Sequence, residues 1–158
     1  MKRDADYNSF MFLGVHKVQV RAKNRIAFPA KLRKQTGDLL FVTNWFENSL
    51  LVLPKAKWDI VIKEVFDKAS FLLPEVRDLD RFIFGGTFEV ELDQEGRFIL
   101  PKYLKEYAKI KKNAVFVGGM WYIQLWDEKL FENHRIMNQL QIKQKAISLF
   151  KILKEKND

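Results

Sequence analysis

The chain repeats itself once, and that repeat limits the possible folds more than any other feature. Residues 12–34, FLGVHKVQVRAKNRIAFPAKLRK, return at 84–106 as FGGTFEVELDQEGRFILPKYLKE, a constant offset of 72 residues. Phe12/Phe84, Gly14/Gly86, Val18/Val90, Arg25/Arg97, Pro29/Pro101 and Leu32/Leu104 are identical pairs. Val20/Leu92, Ile26/Phe98 and Phe28/Leu100 are conservative ones. Further on, AVFVGG answers LLFVTN, and Leu53/Leu125 and Lys57/Lys129 return to the offset. Two copies make a pseudo-dimer in one chain, with an internal pseudo-two-fold; a solenoid needs at least about three repeats.

Each copy reads as strand, tight turn, strand and helix, so the fold class expected is α+β. In the first copy Val18, Val20, Ile26 and Phe28 alternate with polar neighbours, which suits a half-buried hairpin. Lys23-Asn24 falls at its tip, and Asn tolerates the left-handed backbone such turns need. Pro29 opens a helix, where its missing amide costs nothing. LLFVTN and SLLVLP follow as strands, and Pro54 ends the second. Lys55 to Ala69 has helical periodicity, with Trp58, Ile62, Val65, Phe66 and Ala69 on one face. Pro74 interrupts, and a short helix from Glu75 to about Phe82 leads into the second copy. From Asp127 to Asp158 there is no Gly or Pro, and Leu130, Met137, Leu140, Ile147, Phe150 and Leu153 predict an apolar stripe on one long C-terminal helix. The expected order is a flexible leader (1–11), a first unit (12–58), linking helices (59–83), a second unit (84–131) and a helical tail (132–158).

Composition narrows the function. Apolar residues make up 47% of the 158, enough for a packed core. Cysteine is absent, which removes disulfide scaffolds, thiolate zinc sites and cysteine nucleophiles and fits a reducing cytoplasm. No apolar run approaches the roughly 18 to 20 residues of a membrane span. His16 and His134 stand alone, without a second ligand at metal spacing, and His16 reads as a surface residue. No serine sits in a nucleophile motif, and no glycine doublet is followed by the Lys-Ser/Thr of a phosphate loop. An enzyme, a cofactor, a metal and a small-molecule substrate are therefore not expected. The four tryptophans, Trp45, Trp58, Trp121 and Trp126, read as core or interface residues.

The net charge is +8, and it is unevenly placed. Residues 14–60 carry nine Lys/Arg against three Asp/Glu, whereas residues 84–131 carry seven of each. Within Lys17–Lys34 there are seven basic residues (Lys17, Arg21, Lys23, Arg25, Lys31, Arg33, Lys34) and no acid. Charge concentrated in this way points to a polyanion partner.

The stretches Phe12-Leu13-Gly14, RAKNRIAFPAKLR, Phe84-Gly85-Gly86 and DQEGRFILP together resemble the MraZ family of bacterial regulators, over about residues 11–131. That family carries a D-x-x-x-R motif at the hairpin of each of two tandem SpoVT/AbrB-like units. The resemblance implies a swapped-hairpin β-barrel with flanking helices, in which hairpins of the two halves interlock. It also implies a ring-shaped homo-oligomer that binds short direct repeats in double-stranded DNA upstream of its own cell-division and cell-wall operon. Such a regulator is cytoplasmic and nucleoid-associated, with no membrane partner. The second motif is intact in Asp93, Gly96 and Arg97; the first has Arg21 in place of Asp and Asn24 where Gly is usual.

An Asp ending one strand can pair with the Arg opening the next, so Asp93 and Arg97 are expected to clamp the second hairpin. In the first, Arg21 and Arg25 repel each other unless an anion lies between them, and a duplex phosphate is such an anion. The expected mechanism is a β-ribbon in the major groove, with Arg21, Lys23, Asn24 and Arg25 at the tip and Arg25 the leading residue. Lys17, Lys31, Arg33 and Lys34 are assigned to phosphates, which set register without reading sequence. Arg97 is a lesser DNA candidate. The contrasting reading is an assembly module that binds a protein partner, with the basic hairpin a solvated surface.

Overall fold

The computed structural model describes residues 11–158, so the leader expected over 1–11 lies outside the described residues but for Met11. The first half contributes β1 (Val15–Gln19), β2 (Arg25–Ala27), α1 (Ala30–Thr36), β3 (Leu39–Asn44) and β4 (Leu50–Pro54). Between the halves lie α2 (Trp58–Val61), continued by a π turn over Ile62–Phe66, and α3 (Pro74–Ile83). The second half repeats the pattern in β5 (Phe88–Glu91), β6 (Arg97–Ile99), α4 (Lys102–Tyr107), β7 (Asn113–Gly118) and β8 (Ile123–Asp127). The chain ends in α5 (Glu128–Asn157).

Strand pairing crosses between the halves. The first strand of each half adds to the third strand of the other: β1 runs antiparallel to β7, from Val15↔Val117 to Gln19↔Asn113, and β5 runs antiparallel to β3, from Leu39↔Glu91 to Val42↔Phe88. The second strands pair with each other as a separate two-stranded ribbon, β2 with β6. The remaining sheet has the order β1-β7-β8-β4-β3-β5. This is the interlocking that the family resemblance implies. It corrects the simpler expectation of a self-paired hairpin over Val18–Phe28, where Arg21 and Arg25 form only an isolated bridge. Alternation of apolar and polar residues fixes which face of a strand is buried; it says nothing about which strand lies alongside.

One core is built from both halves. Phe12, Ile26, Phe28, Leu32, Leu40 and Val42 pack with Val90, Phe98, Leu100, Leu104, Phe116 and Leu125. Phe28 meets Phe116 edge to face at 5.2 Å, a pairing worth about 0.5–1.5 kcal/mol beyond area burial. Neither half holds this core alone, and the described residues up to Glu128 form one compact unit. A second cluster places Leu51 and Leu53 of β4 against Val61 and Ile83, with Trp45, Trp58, Phe66 and Trp121 around them. Of the helical face expected over 55–69, Trp58, Val65 and Phe66 pack on this cluster, while Ile62 is exposed and Val61 is buried. Of the tryptophans, Trp126 is buried, and Trp45, Trp58 and Trp121 are partly buried against the second cluster.

α5 is a 30-residue helix with no buried side chain. The expected single stripe is not what it presents. Leu140 and Leu149 are both exposed, and nine residues of α-helix put them on opposite sides. No helix among the described residues is long and apolar enough to cross a membrane.

Candidate nucleic-acid interface

The two turns occupy equivalent places 72 residues apart, and each is held differently. In the first, the Arg21 amide donates to the Arg25 carbonyl at 2.8 Å, and Ala22–Asn24 form one tight 3₁₀ turn. Lys23 and Asn24 both take left-handed backbone, at φ 60° and 58°. Asn tolerates this region and Lys does so at some strain. No side chain caps the turn. Arg21, Lys23 and Arg25 are exposed, and among the described residues none has a carboxylate within ion-pair distance.

The second turn is satisfied from within. Asp93 Oδ1 accepts hydrogen bonds from the Glu95 and Arg97 amides, both at 2.9 Å, and the Gly96 amide donates to the Asp93 carbonyl at 3.0 Å. Gly96 supplies the left-handed residue, at φ 77°. This corrects the expected side-chain clamp between Asp93 and Arg97. The carboxylate holds the Arg97 backbone, and the Arg97 guanidinium pairs with Glu95 at 3.0 Å. An acid at the start of a tight turn lies close to the amides that the turn orphans, so backbone donors reach it first. The amide of Arg97, followed by that of Glu95 and the charges of Arg25 and Arg97, holds the Asp93 carboxyl below the usual range.

The crossed topology decides what the other candidates touch. α1 of the first half lies beneath the second turn, and Arg33 is committed there. Its Nε donates to Asp38 at 2.7 Å, and its Nη atoms donate to the carbonyls of Asp93 and Gln94 at 3.2 and 3.4 Å. The Asp38 bond raises the Arg33 pKa further and lowers that of Asp38. Arg33, expected at a phosphate, thus serves as a brace between the halves. Lys17 pairs with Glu128 at 3.7 Å, a loose surface contact. Lys31 and Lys34 are exposed on α1. Asn24 is part-buried: its carbonyl accepts from the Leu100 amide at 2.9 Å, and its Oδ1 accepts from Lys105 Nζ at 3.0 Å. Lys105 escaped the sequence reading, although the offset that pairs it with Arg33 was there to signal it.

The ribbon brings two candidates together. In β2–β6, Arg25 lies opposite Ile99 and Ala27 opposite Arg97. Ile26 and Phe98 point into the core, so Arg25 and Arg97 share the outward face. The two arginines are diagonal neighbours related by the internal symmetry. A twisted two-stranded ribbon with paired arginines on its outer face has the width and donors to enter a major groove.

Tandem halves with exchanged first strands and a central ribbon define an internal pseudo-dimer. A family model described as "MraZ protein, putative antitoxin-like" matches residues 11–82 and again 83–151, and the chain belongs to the MraZ family. Similar curated proteins carry the name Transcriptional regulator MraZ. One from Oenococcus oeni is 36% identical over 124 residues, covering 78% of this chain and 86% of the relative. One from Carboxydothermus hydrogenoformans is 35% identical over the same shares. One from Desulforamulus reducens is 30% identical over 143 residues, 90% of this chain and all of the relative.

Proposed function

We propose that this chain is a DNA-binding transcriptional regulator that acts as a homo-oligomer on short direct repeats upstream of its own cell-division and cell-wall operon. The observation that carries the reading is the exposed Arg21–Arg25 turn, whose three cations have, among the described residues, no carboxylate within ion-pair distance. The regulator name borne by its relatives supports the same reading. Arg25, flanked by Arg21 and Lys23, donates to base edges, most readily guanine N7 and O6. Asn24 shapes the tip, Lys31 and Lys34 contact phosphates, Lys17 exchanges Glu128 for a phosphate, and Arg97 adds a second ribbon contact. Arg33 belongs to the scaffold and not to the DNA contact.

One subunit offers few contacts, and a ring of subunits presents several turns to tandem repeats at high effective concentration. If about five phosphates are neutralised per bound unit, log affinity falls against log salt with a slope of about −4 to −5. The test is a gel shift on the duplex that precedes the protein's own gene, with light scattering on the same sample. A retarded, salt-sensitive complex formed by an oligomer is expected. A monomer at micromolar concentration would remove the ring, and no shift at low salt would remove the regulator. A second reading, a protein-binding assembly module, draws on the apolar residues displayed by α5, such as Leu140 and Phe150. It predicts an oligomer and no shift.

A further inference from the structure

The second half is neutral in sum, yet its charges are sorted by the fold. Four of its seven acids, Glu89, Glu91, Asp93 and Glu95, lie on β5 and the second turn, while lysines collect on α4 and the loop after it, accompanied there by Glu106 and by Asp127, which accepts the Lys111 amide at 3.1 Å. The crossed topology carries those lysines to the first turn. Val20, the residue before Arg21, donates its amide to the Lys112 carbonyl at 2.8 Å. Lys105 reaches Asn24 in that turn. Beside this junction opens a cleft of about 380 Å³ lined by Asn24, Lys102, Lys105, Glu106, Lys109 and Lys111. Four lysines and one glutamate line it, and Glu106 pairs only loosely with Lys102, at 3.7 Å. Among the described residues, Lys109 and Lys111 have no carboxylate within ion-pair distance.

The internal symmetry supplies a control for this cluster. Lys109 follows α4 with a positive φ of 54°, and its equivalent Gly37 follows α1 with a φ of 72°. Glycine takes that conformation freely; lysine takes it under strain. The equivalent of Lys102 is Ala30, and Asp38 in the first half occupies Arg33. So one copy places glycine, alanine and an internal ion pair where the other places a cleft of lysines. Strain accepted at a cleft-lining residue is a pointer to a ligand.

We propose that the Lys102–Lys111 cleft is a phosphate-binding site for the backbone of the DNA duplex engaged by the neighbouring Arg21–Arg25 turn. The inference rests on the proposed DNA-binding reading and extends its footprint from the first half onto the second. The cleft is open and continuous with the turn, which suits a phosphate chain running past. Its lysines add affinity and salt dependence without sequence preference.

The test uses the full chain and a labelled duplex from the DNA preceding its gene, titrated across a salt series. The double variant Lys109→Gly with Lys111→Gln is expected to bind roughly tenfold more weakly at low salt, with a slope shallower by about 2. Its melting temperature should not fall, because glycine suits the backbone at position 109. If the double variant fails to fold, Lys111→Gln alone is read, with a slope shallower by about 1. Inorganic phosphate at matched ionic strength should compete no better than chloride. Saturable competition would give the cleft to a free phosphate and overturn the proposal. Unchanged affinity and slope, in a protein whose Arg25→Ala variant loses binding, would overturn the cleft and leave the turn standing. Absence of binding by the wild type would overturn both.

Discussion

The turns at Arg21–Arg25 and Asp93–Arg97 occupy equivalent places and share only their closing arginine, and they show how the residue that opens the turn sets what the turn does with its polar groups. With an acid first, the turn satisfies two of its own amides, uses glycine for its left-handed residue, and is braced from the other half by Arg33. With an arginine first, the turn has no side-chain cap, holds Lys23 and Asn24 in left-handed backbone, and exposes three cations. Its brace, Lys105 on Asn24, is itself cationic. One copy has its groups consumed internally, and the other leaves them available. Equivalent positions in a duplicated fold can thus be divided between scaffold and contact surface.

The largest effect should come from making the first turn like the second. Arg21→Asp installs a carboxylate where Asp93 stands and reverses one charge at the tip. DNA affinity should fall by about a thousandfold while the melting temperature holds or rises. Binding that survives this change would break the division of labour between the turns. Next, Arg97→Ala should weaken binding by about tenfold and move the melting temperature by no more than about 2 °C, since its guanidinium pairs with Glu95 at the exposed surface. A loss larger than that of Arg25→Ala would transfer the principal contact to the second half.

Asp93→Ala should lower the melting temperature by about a few degrees and leave DNA affinity near wild type, because it strips two amides of their acceptor. Acid should reveal the same group. The folded state keeps Asp93 and Asp38 ionised more readily than the unfolded chain does. Their contribution is therefore whole above the usual carboxylate value of 3.8 and is lost as pH falls through the lowered folded values. Calorimetry across that range should show the gap between wild type and Asp93→Ala closing at the acid end; a constant gap would assign the loss to something other than the carboxylate. The smallest effect is Lys17→Ala, under about 1 kcal/mol in stability, because its ion pair is loose and solvent-exposed.

Much of this fold was legible before any coordinates. The 72-residue offset, the strands LLFVTN and SLLVLP, the tip at Lys23-Asn24 and the helices after Pro29 and Pro101 all rest on local signals, and all of them form. Pro29 itself stands just ahead of α1 rather than inside it. Partner choice was not legible from the residues alone, because Val18 and Val20 bury the same face whether β1 pairs with β2 or with β7. The crossing also decides which partners several site residues meet. Arg33 has one partner near it in sequence, Asp38, and two carbonyls about 60 residues away, on a turn that only the crossing brings near. The lysine cleft was hidden because charge was summed along the sequence, which cancels Lys105 and Lys109 against Glu89 and Glu91 although the fold separates them. Asp93 was read toward a side chain because a motif names side chains, while its carboxylate serves the backbone.

The division between the turns comes to a head at Arg25, which shares the ribbon's outer face with Arg97 and sits beside the uncapped tip. The deciding measurement is the affinity of Arg25→Ala for the duplex preceding the protein's own gene, by fluorescence anisotropy at fixed salt beside the wild type. A loss of about a hundredfold or more, with the oligomer mass unchanged in light scattering, is the predicted result. Affinity within about twofold of wild type, in an oligomer of the same mass, would contradict it.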